Sequence, residues 1–335
     1  MQLKTIALAP AFIAATGAIE THGGYEYEAR FAVNAASETA DIKDPYEATA
    51  AKQASLRLQQ QISATGIASK CLAYNTGTSP ADLYALKDCV AADNEDNFFT
   101  LLAEDIEESN AFWDQVVRES TSDRTQWVPA RAYLKAYFNG NLTATEFAAW
   151  TLSDNADLAN NHANPEHYFK KTVLSATGSQ QSQIFEGWGG VLSSFGTKRT
   201  NFTVPDFTTP VYGSADTPGS WDIGPSFPIL LQRVGPKVLT YGDGKTFGVL
   251  HIAVRDFNAT EGSTDKSGLE IYSAVWYPPW DKTSAANRTE FLNNYLADEA
   301  HHMVVEVINL TLQAYQDCQT GLCVLPTGLR ARYRL

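Results

Sequence analysis

Positive charge is scarce in this sequence: 25 Lys and Arg stand against 38 Asp and Glu, for a net charge of −13. With no basic stripe to neutralise phosphates, nucleic acid is excluded as a partner. Also missing are a Gly-rich phosphate loop and a strand–helix alternation, so a nicotinamide, flavin or nucleoside triphosphate site has no support. Gly-x-Ser-x-Gly, the local signature of many serine hydrolases, does not occur. Neither does His-x-x-x-His or Cys-x-x-Cys, which leaves zinc and thiol redox chemistry without a local motif. After residue 18 no apolar run approaches membrane length, so no membrane span is expected. There is no repeat and no low-complexity tract.

What is present points to the secretory pathway. Lys4 precedes an apolar run over 5–15 and small residues over 16–18, the pattern of a cleaved signal peptide. Asn-x-Ser/Thr acceptors stand at Asn141, Asn201, Asn258, Asn287 and Asn309. The four cysteines fall into two local pairs, Cys71 with Cys89 and Cys318 with Cys323. Four cysteines allow three connectivities; the local one closes two short loops in an oxidising compartment. A secreted or lumenal eukaryotic glycoprotein is the expectation.

Along the chain, 19–44 is polar and expected to be loosely ordered. Helical signals follow over 46–62, 79–90, 96–108, 110–119, 129–138 and 143–158, with a capping box at Thr143 and Glu146. Near Pro165 the composition turns to β-branched and aromatic residues, and strands are expected over 168–174, 183–195, 198–204, 247–256 and 268–277. Prolines and glycines over 205–228 mark a long loop. Helical periodicity returns over 284–318. The fold class is therefore α+β: a signal peptide at 1–18, a helical region at 19–160, a curved antiparallel sheet at 161–280, and a closing helix with its tail at 281–335.

Candidate chemistry gathers on that sheet. Alternation along 247–256 puts Phe247, Val249, His251, Ala253 and Arg255 on one face, an imidazole and a guanidinium among apolar walls. His251 would move a proton and Arg255 would hold an anion; the other reading is a hydrogen-bonded core histidine and an arginine paired to a carboxylate at the strand end. Glu186 beside Trp188 reads as a carboxylate with a raised pKa, fit for general acid–base work, or as a structural partner of Arg255. Tyr272 and Trp276 would shape the cavity, with His167 and His302 at its edge. The acidic run Glu104, Asp105, Glu107 and Glu108 reads as a solvated helix face. Glu299, His302 and Glu306 lie along one side of a helix. The Glu-x-x-His pair echoes a quarter of a di-iron site, but no second copy exists. No metal and no cofactor is expected, although an enzyme using a metal on His162, His167, His302 and Glu306 stays open as an alternative.

The element order and pocket character over 164–280, with the His251 and Arg255 face, resemble NTF2-like proteins of the ketosteroid isomerase-like group. Secreted fungal members of secondary metabolism, such as the maleidride-dimerising cyclases, have a similar layout. The resemblance implies a cone-shaped sheet and a cofactor-independent cyclase, isomerase or lyase acting on a small carboxylated polyketide-type substrate. It carries no catalytic residue over, because the family has no diagnostic motif. A binding protein using the same pocket without chemistry is the other reading, and a homodimer is compatible with either.

Overall fold

The computed structural model describes residues 20–33, 36–39, 45–74, 77–138, 141–151, 153–174, 180–188, 190–204, 237–258 and 266–323. The expected leader at 1–18, the loop at 205–228 and the end of the tail lie outside them.

Two-residue alternation builds more strands than expected. In β2 (Tyr25–Val33), flanked by β1 (Glu20–His22) and β3 (Ala36–Thr39), Tyr25, Tyr27, Ala29 and Phe31 are buried. Glu26, Glu28 and Arg30 between them are partly exposed. The segment expected to be loosely ordered is thus strand, its polar residues being the other half of the period. The helix expected over 129–138 is also a strand, β4 (Val128–Tyr137). Ala130, Ala132, Leu134 and Ala136 bury one face of it, and pairing with β2 and β10 (Gly268–Tyr277) outweighs the helix propensity of alanine.

The helices follow their caps. α1 (Pro45–Thr65) matches its periodicity, and α2 (Pro80–Asp93) opens on a Ser79–Asp82 capping box. The stretch from 96 divides at Leu102 into α3 (Asn97–Leu101) and α4 (Ala103–Arg118). The single helix expected over 143–158 is two, α5 (Ala144–Trp150) and α6 (Asp154–Ala163), because the Ser153 hydroxyl caps a new start. At the C-terminal side α7 (Ala285–Glu290) leads through a π-helical turn, Phe291–Tyr295, into α8 (Leu296–Gln319).

The remaining strands are β5 (His167–Leu174), β6 (Gln180–Trp188), β7 (Lys198–Val204), β8 (Lys237–Tyr241) and β9 (Lys245–Phe257). All ten form one open antiparallel sheet in the order β1-β2-β4-β10-β9-β8-β7-β6-β5, with β3 beside β2. The architecture is mixed α/β, with eight α-helices among the described residues. Four strands come from the region expected to be helical.

The sheet is strongly curled. β6 and β10 are four strand steps apart, about 19 Å in a flat sheet. Yet the rings of Trp188 on β6 and Tyr277 on β10 are 6.3 Å apart. The concave side is filled by α4 and α8. Fully buried Trp113 on α4 sits at its centre, 4.8 Å from the Phe247 ring, 4.9 Å from Tyr277 and 6.2 Å from Trp188. A bulge in β9, where Leu239 pairs with Gly248 but Thr240 with Thr246, turns Phe247 into this core. Phe247 therefore does not share the face of Val249 and Ala253, as strict alternation had it; those two lie in a separate cluster with Trp127, Tyr272 and Trp276.

Gly268 starts β10 where backbones crowd. A Cβ there would lie 1.8 Å from the carbonyl oxygen of Ala136. Gly268→Ala is expected to destabilise the chain by about 1–3 kcal/mol, as overpacking does; urea unfolding measures it, and an unchanged midpoint would refute the close approach.

Cys71 pairs with Cys89 and Cys318 with Cys323, as the local connectivity requires. Of the expected glycan acceptors, Asn141 and Asn258 are exposed. Asn309 on α8 instead donates its amide to the Ala163 carbonyl at 2.9 Å, and Thr311 of its tripeptide is fully buried.

Candidate functional site

The convergent chemistry of the molecule lies where β5 and β6 meet α8. His167 begins β5 and is the register partner of Glu186 on β6, so both side chains leave the same side of the hairpin. A bulge between His167 and Phe169 re-aims this end of β5. From α8, the Glu299, His302 and Glu306 face points at the pair. His167 Nε2 lies 2.7 Å from Glu186 Oε2 and 2.7 Å from His302 Nε2. His302 Nε2 is 3.6 Å from Glu186 Oε2, and Glu306 Oε2 is 3.9 Å from His167 Nε2. His167 and His302 are 1% exposed; the Glu186 side chain keeps 12% and that of Glu306 24%, so the cluster opens towards its carboxylates.

A ring of supporting contacts fixes it. Asn160 uses its amide N–H on Glu306 at 3.2 Å, which leaves its oxygen to accept from His167 Nδ1 at 2.7 Å. That sets His167 Nδ1 as the donor and aims Nε2 inward. Asn164 donates to the His302 carbonyl at 3.0 Å, tying the loop before β5 to α8. The buried Lys87 ammonium of α2 grips the same loop through the carbonyls of Asn161 (2.5 Å), Asn164 (3.2 Å), Pro165 (3.3 Å) and His167 (2.5 Å).

Burial disfavours every charge here, and neighbours decide the outcome. Burial works to raise Glu186, but the His167 and His302 imidazoles overcome it and hold the carboxylate well below its usual range, opposite to the rise expected from Trp188 alone. Burial would lower His302, yet Glu186, Glu299 and Glu306 push it up to about 9. Glu299, which accepts from Tyr277 at 3.0 Å, is pushed up to about 8 by burial. Burial likewise raises Glu166 to about 7 and Asp298 to about 6. Trp188, with its ring 6.0 Å from that of His302, supplies an apolar wall. The Trp188 indole N–H, the Tyr295 hydroxyl, Glu299 Oε2 and His302 Nδ1 have no hydrogen-bond partner among the described residues.

Of the residues singled out by sequence, the fold brings Glu186, Trp188, His167, His302 and Glu306 together. It leaves the others elsewhere. β9 is separated from β6 by β8 and β7. Arg255 pairs with Glu270, directly opposite on β10, and Glu270 also accepts from Tyr133 at 2.8 Å. Tyr272 and Trp276 belong to the cluster of Val249 and Ala253, not to that of Trp188. His251 occupies the β9 position opposite Ala274, its side chain lying outside what is described. His162 is half exposed, bonded to Asp88 at 2.6 Å and stacked on Tyr84, at the edge of a cavity of about 910 Å³ that none of the cluster residues lines.

Sequence reasoning missed Asn160 and Lys87, which act through geometry that a linear pattern does not display. It also missed Asp105. Read as part of a solvated face, Asp105 is buried between Arg199 of β7 (2.6 Å) and Arg57 of α1 (2.8 Å). No protein family, curated protein or solved structure matches the chain.

Proposed function

We propose that this secretory-pathway protein is an enzyme that moves a proton on a small carboxylated metabolite, in the manner of an isomerase, lyase or cyclase. Its reacting centre is the His167, Glu186, His302 and Glu306 cluster. One observation carries the reading: two imidazole nitrogens and a carboxylate oxygen converge on one buried point while a second carboxylate sits at the partly open rim. Glu306 is the proton carrier, because it is the most accessible of the four and is held by the Asn160 amide, with no Arg or Lys contact among the described residues. Trp188 forms the apolar side of the substrate site. The curl of the sheet and its two bulges support the finer reading of an NTF2-like cone, closed on its concave side by α8.

Deuterium wash-in from D₂O into a panel of enolisable keto acids and unsaturated carboxylic acids tests this reading. Wild-type protein is expected to exchange at least one of them about 100- to 10,000-fold faster than Glu306→Gln, the range for loss of a general base. The variant should keep the native circular dichroism spectrum, its side chain being partly exposed. Equal rates in the two folded proteins would remove Glu306 from the role, and no exchange of any acid by the wild type would sink the reading.

A further inference from the structure

Proton removal beside a carboxylate leaves a dianion, and among the described residues no Arg or Lys contacts the cluster side chains to receive it. Arg255 is bound to Glu270 elsewhere. Arg199 is committed to Asp105 and Tyr168, and Lys87 to four backbone carbonyls. Hydrogen bonds alone do not satisfy the close approach at the centre of the cluster. With His167 Nδ1 donating to Asn160, its Nε2 faces Glu186 Oε2 and His302 Nε2 at the same distance, 2.7 Å, and one proton cannot serve both. Acceptors converging on a single point is the arrangement a cation organises.

The dimensions fit one. Ligand atoms about 2.1 Å from an ion stand about 3.0 Å apart at right angles and about 3.4 Å apart at tetrahedral angles. The three separations here are 2.7, 2.7 and 3.6 Å. Asn160 provides the outer contact that metal-bound histidines usually have, a carbonyl oxygen on the other ring nitrogen. The set comes from three elements, β5, β6 and α8, so it needs no local motif.

We propose that His167 Nε2, Glu186 Oε2 and His302 Nε2 bind one divalent transition-metal ion of the zinc, manganese or iron(II) class, with coordination positions left open for substrate oxygens. Two imidazoles and one carboxylate suit these ions better than calcium or magnesium, which take all-oxygen shells. Glu306 stays outside the three as the proton carrier. The ion's binding depends only on the three ligands; its task, holding the substrate anion as a Lewis acid, rests on the reading of the cluster as the reacting centre.

The experiment uses untagged full-length glycoprotein, stripped with chelator and titrated separately with Zn²⁺, Mn²⁺ and Fe²⁺, the last without oxygen. Calorimetry and elemental analysis after desalting are expected to give one ion per chain for at least one of them. His302→Asn and Glu186→Gln should lose that ion, Asn160→Ala should bind it about 10- to 100-fold more weakly, and Glu306→Gln should bind it as the wild type does. Asn160→Ala keeps all three ligands, so it reports on the site even where a ligand variant fails to fold. No stoichiometric binding of any of the three ions, or wild-type affinity in folded His302→Asn, would overturn the proposal. Binding without proton exchange would leave the ion site standing and remove the enzyme reading; exchange by ion-free protein would leave the enzyme reading standing and remove the ion's task as Lewis acid.

Discussion

Asp105→Ala lowers the stability of the chain by about 3–5 kcal/mol, the expected result of removing one member of a buried ion pair. Asp105 is 8% exposed and Arg199 6%. The Asp105 carboxylate accepts from Arg199 Nη1 at 2.6 Å and from Arg57 at 2.8 to 3.2 Å, while Arg199 also donates to the Tyr168 hydroxyl at 3.1 Å. One carboxylate thereby joins α1, α4, β7 and β5. The alanine variant strands the Arg199 guanidinium in a dry interior, and that stranded charge, more than the lost attraction, sets the magnitude. The double variant Asp105→Ala with Arg199→Met should regain much of the loss, because the one charge left over, Arg57, is partly exposed and keeps Glu104 at 3.7 Å. Urea unfolding of the three proteins measures this. A single-variant loss under about 1 kcal/mol, or a double variant as unstable as the single, would contradict the account.

Chelator-stripped protein is expected to be several kcal/mol more stable at pH 5 than at pH 7. Glu299, Glu166 and Asp298 are buried, and burial raises their folded pKa values to about 8, 7 and 6. A carboxyl raised on folding keeps its proton after the unfolded chain has released it. Stability is then full below the unfolded value and falls as pH rises towards the folded one, by up to about 1.4 kcal/mol per group and pH unit. His302, raised to about 9, works in the same direction above its unfolded value. Glu186 works oppositely, but its depressed pKa makes its contribution complete above the unfolded range, so it is lost only on acidification below this window. Lys87, lowered by burial to about 7, begins to offset the trend only above neutrality. Denaturant titrations at the two pH values provide the check. Glu299→Gln should flatten the difference, and a wild type more stable at pH 7 would show that these acids are not protonated inside the fold.

Elements that depend on neighbours along the chain were legible in the sequence, and elements that depend on partners across the sheet were not. Ser79 with Pro80, and Thr143 with Glu146, mark their helix starts because a cap is a contact over three residues. The 129–138 segment misleads because its alanines favour a helix alone and a strand only when β2 and β10 flank it. Phe247 misleads because one bulge reverses a face. For the site, the Glu299, His302 and Glu306 stripe was readable from helical spacing. Its meeting with His167 and Glu186 was not, since it requires the β5–β6 register and the docking of α8 together. Arg255 had two readings in the sequence, an anion holder or the partner of a carboxylate, and only the β9–β10 register, which sets Glu270 opposite it, selects the second.

The grip of Lys87 on the loop before His167 has a consequence for the order of events during synthesis. α2 is emitted early, the loop it clamps follows, and β5 with β6 comes next, so half of the centre can be in place while the last helix is still unmade. His302 lies 135 residues after His167. Until α8 emerges and docks, the hairpin presents an imidazole and a carboxylate on a surface lacking its cover. Closing that long loop is the entropically expensive, late step. A chain truncated before α8 should therefore hold its N-terminal helices and its disulfide between Cys71 and Cys89 yet leave His167 and Glu186 without His302 and Glu306, so the proposed centre exists only once the C-terminal helix has arrived.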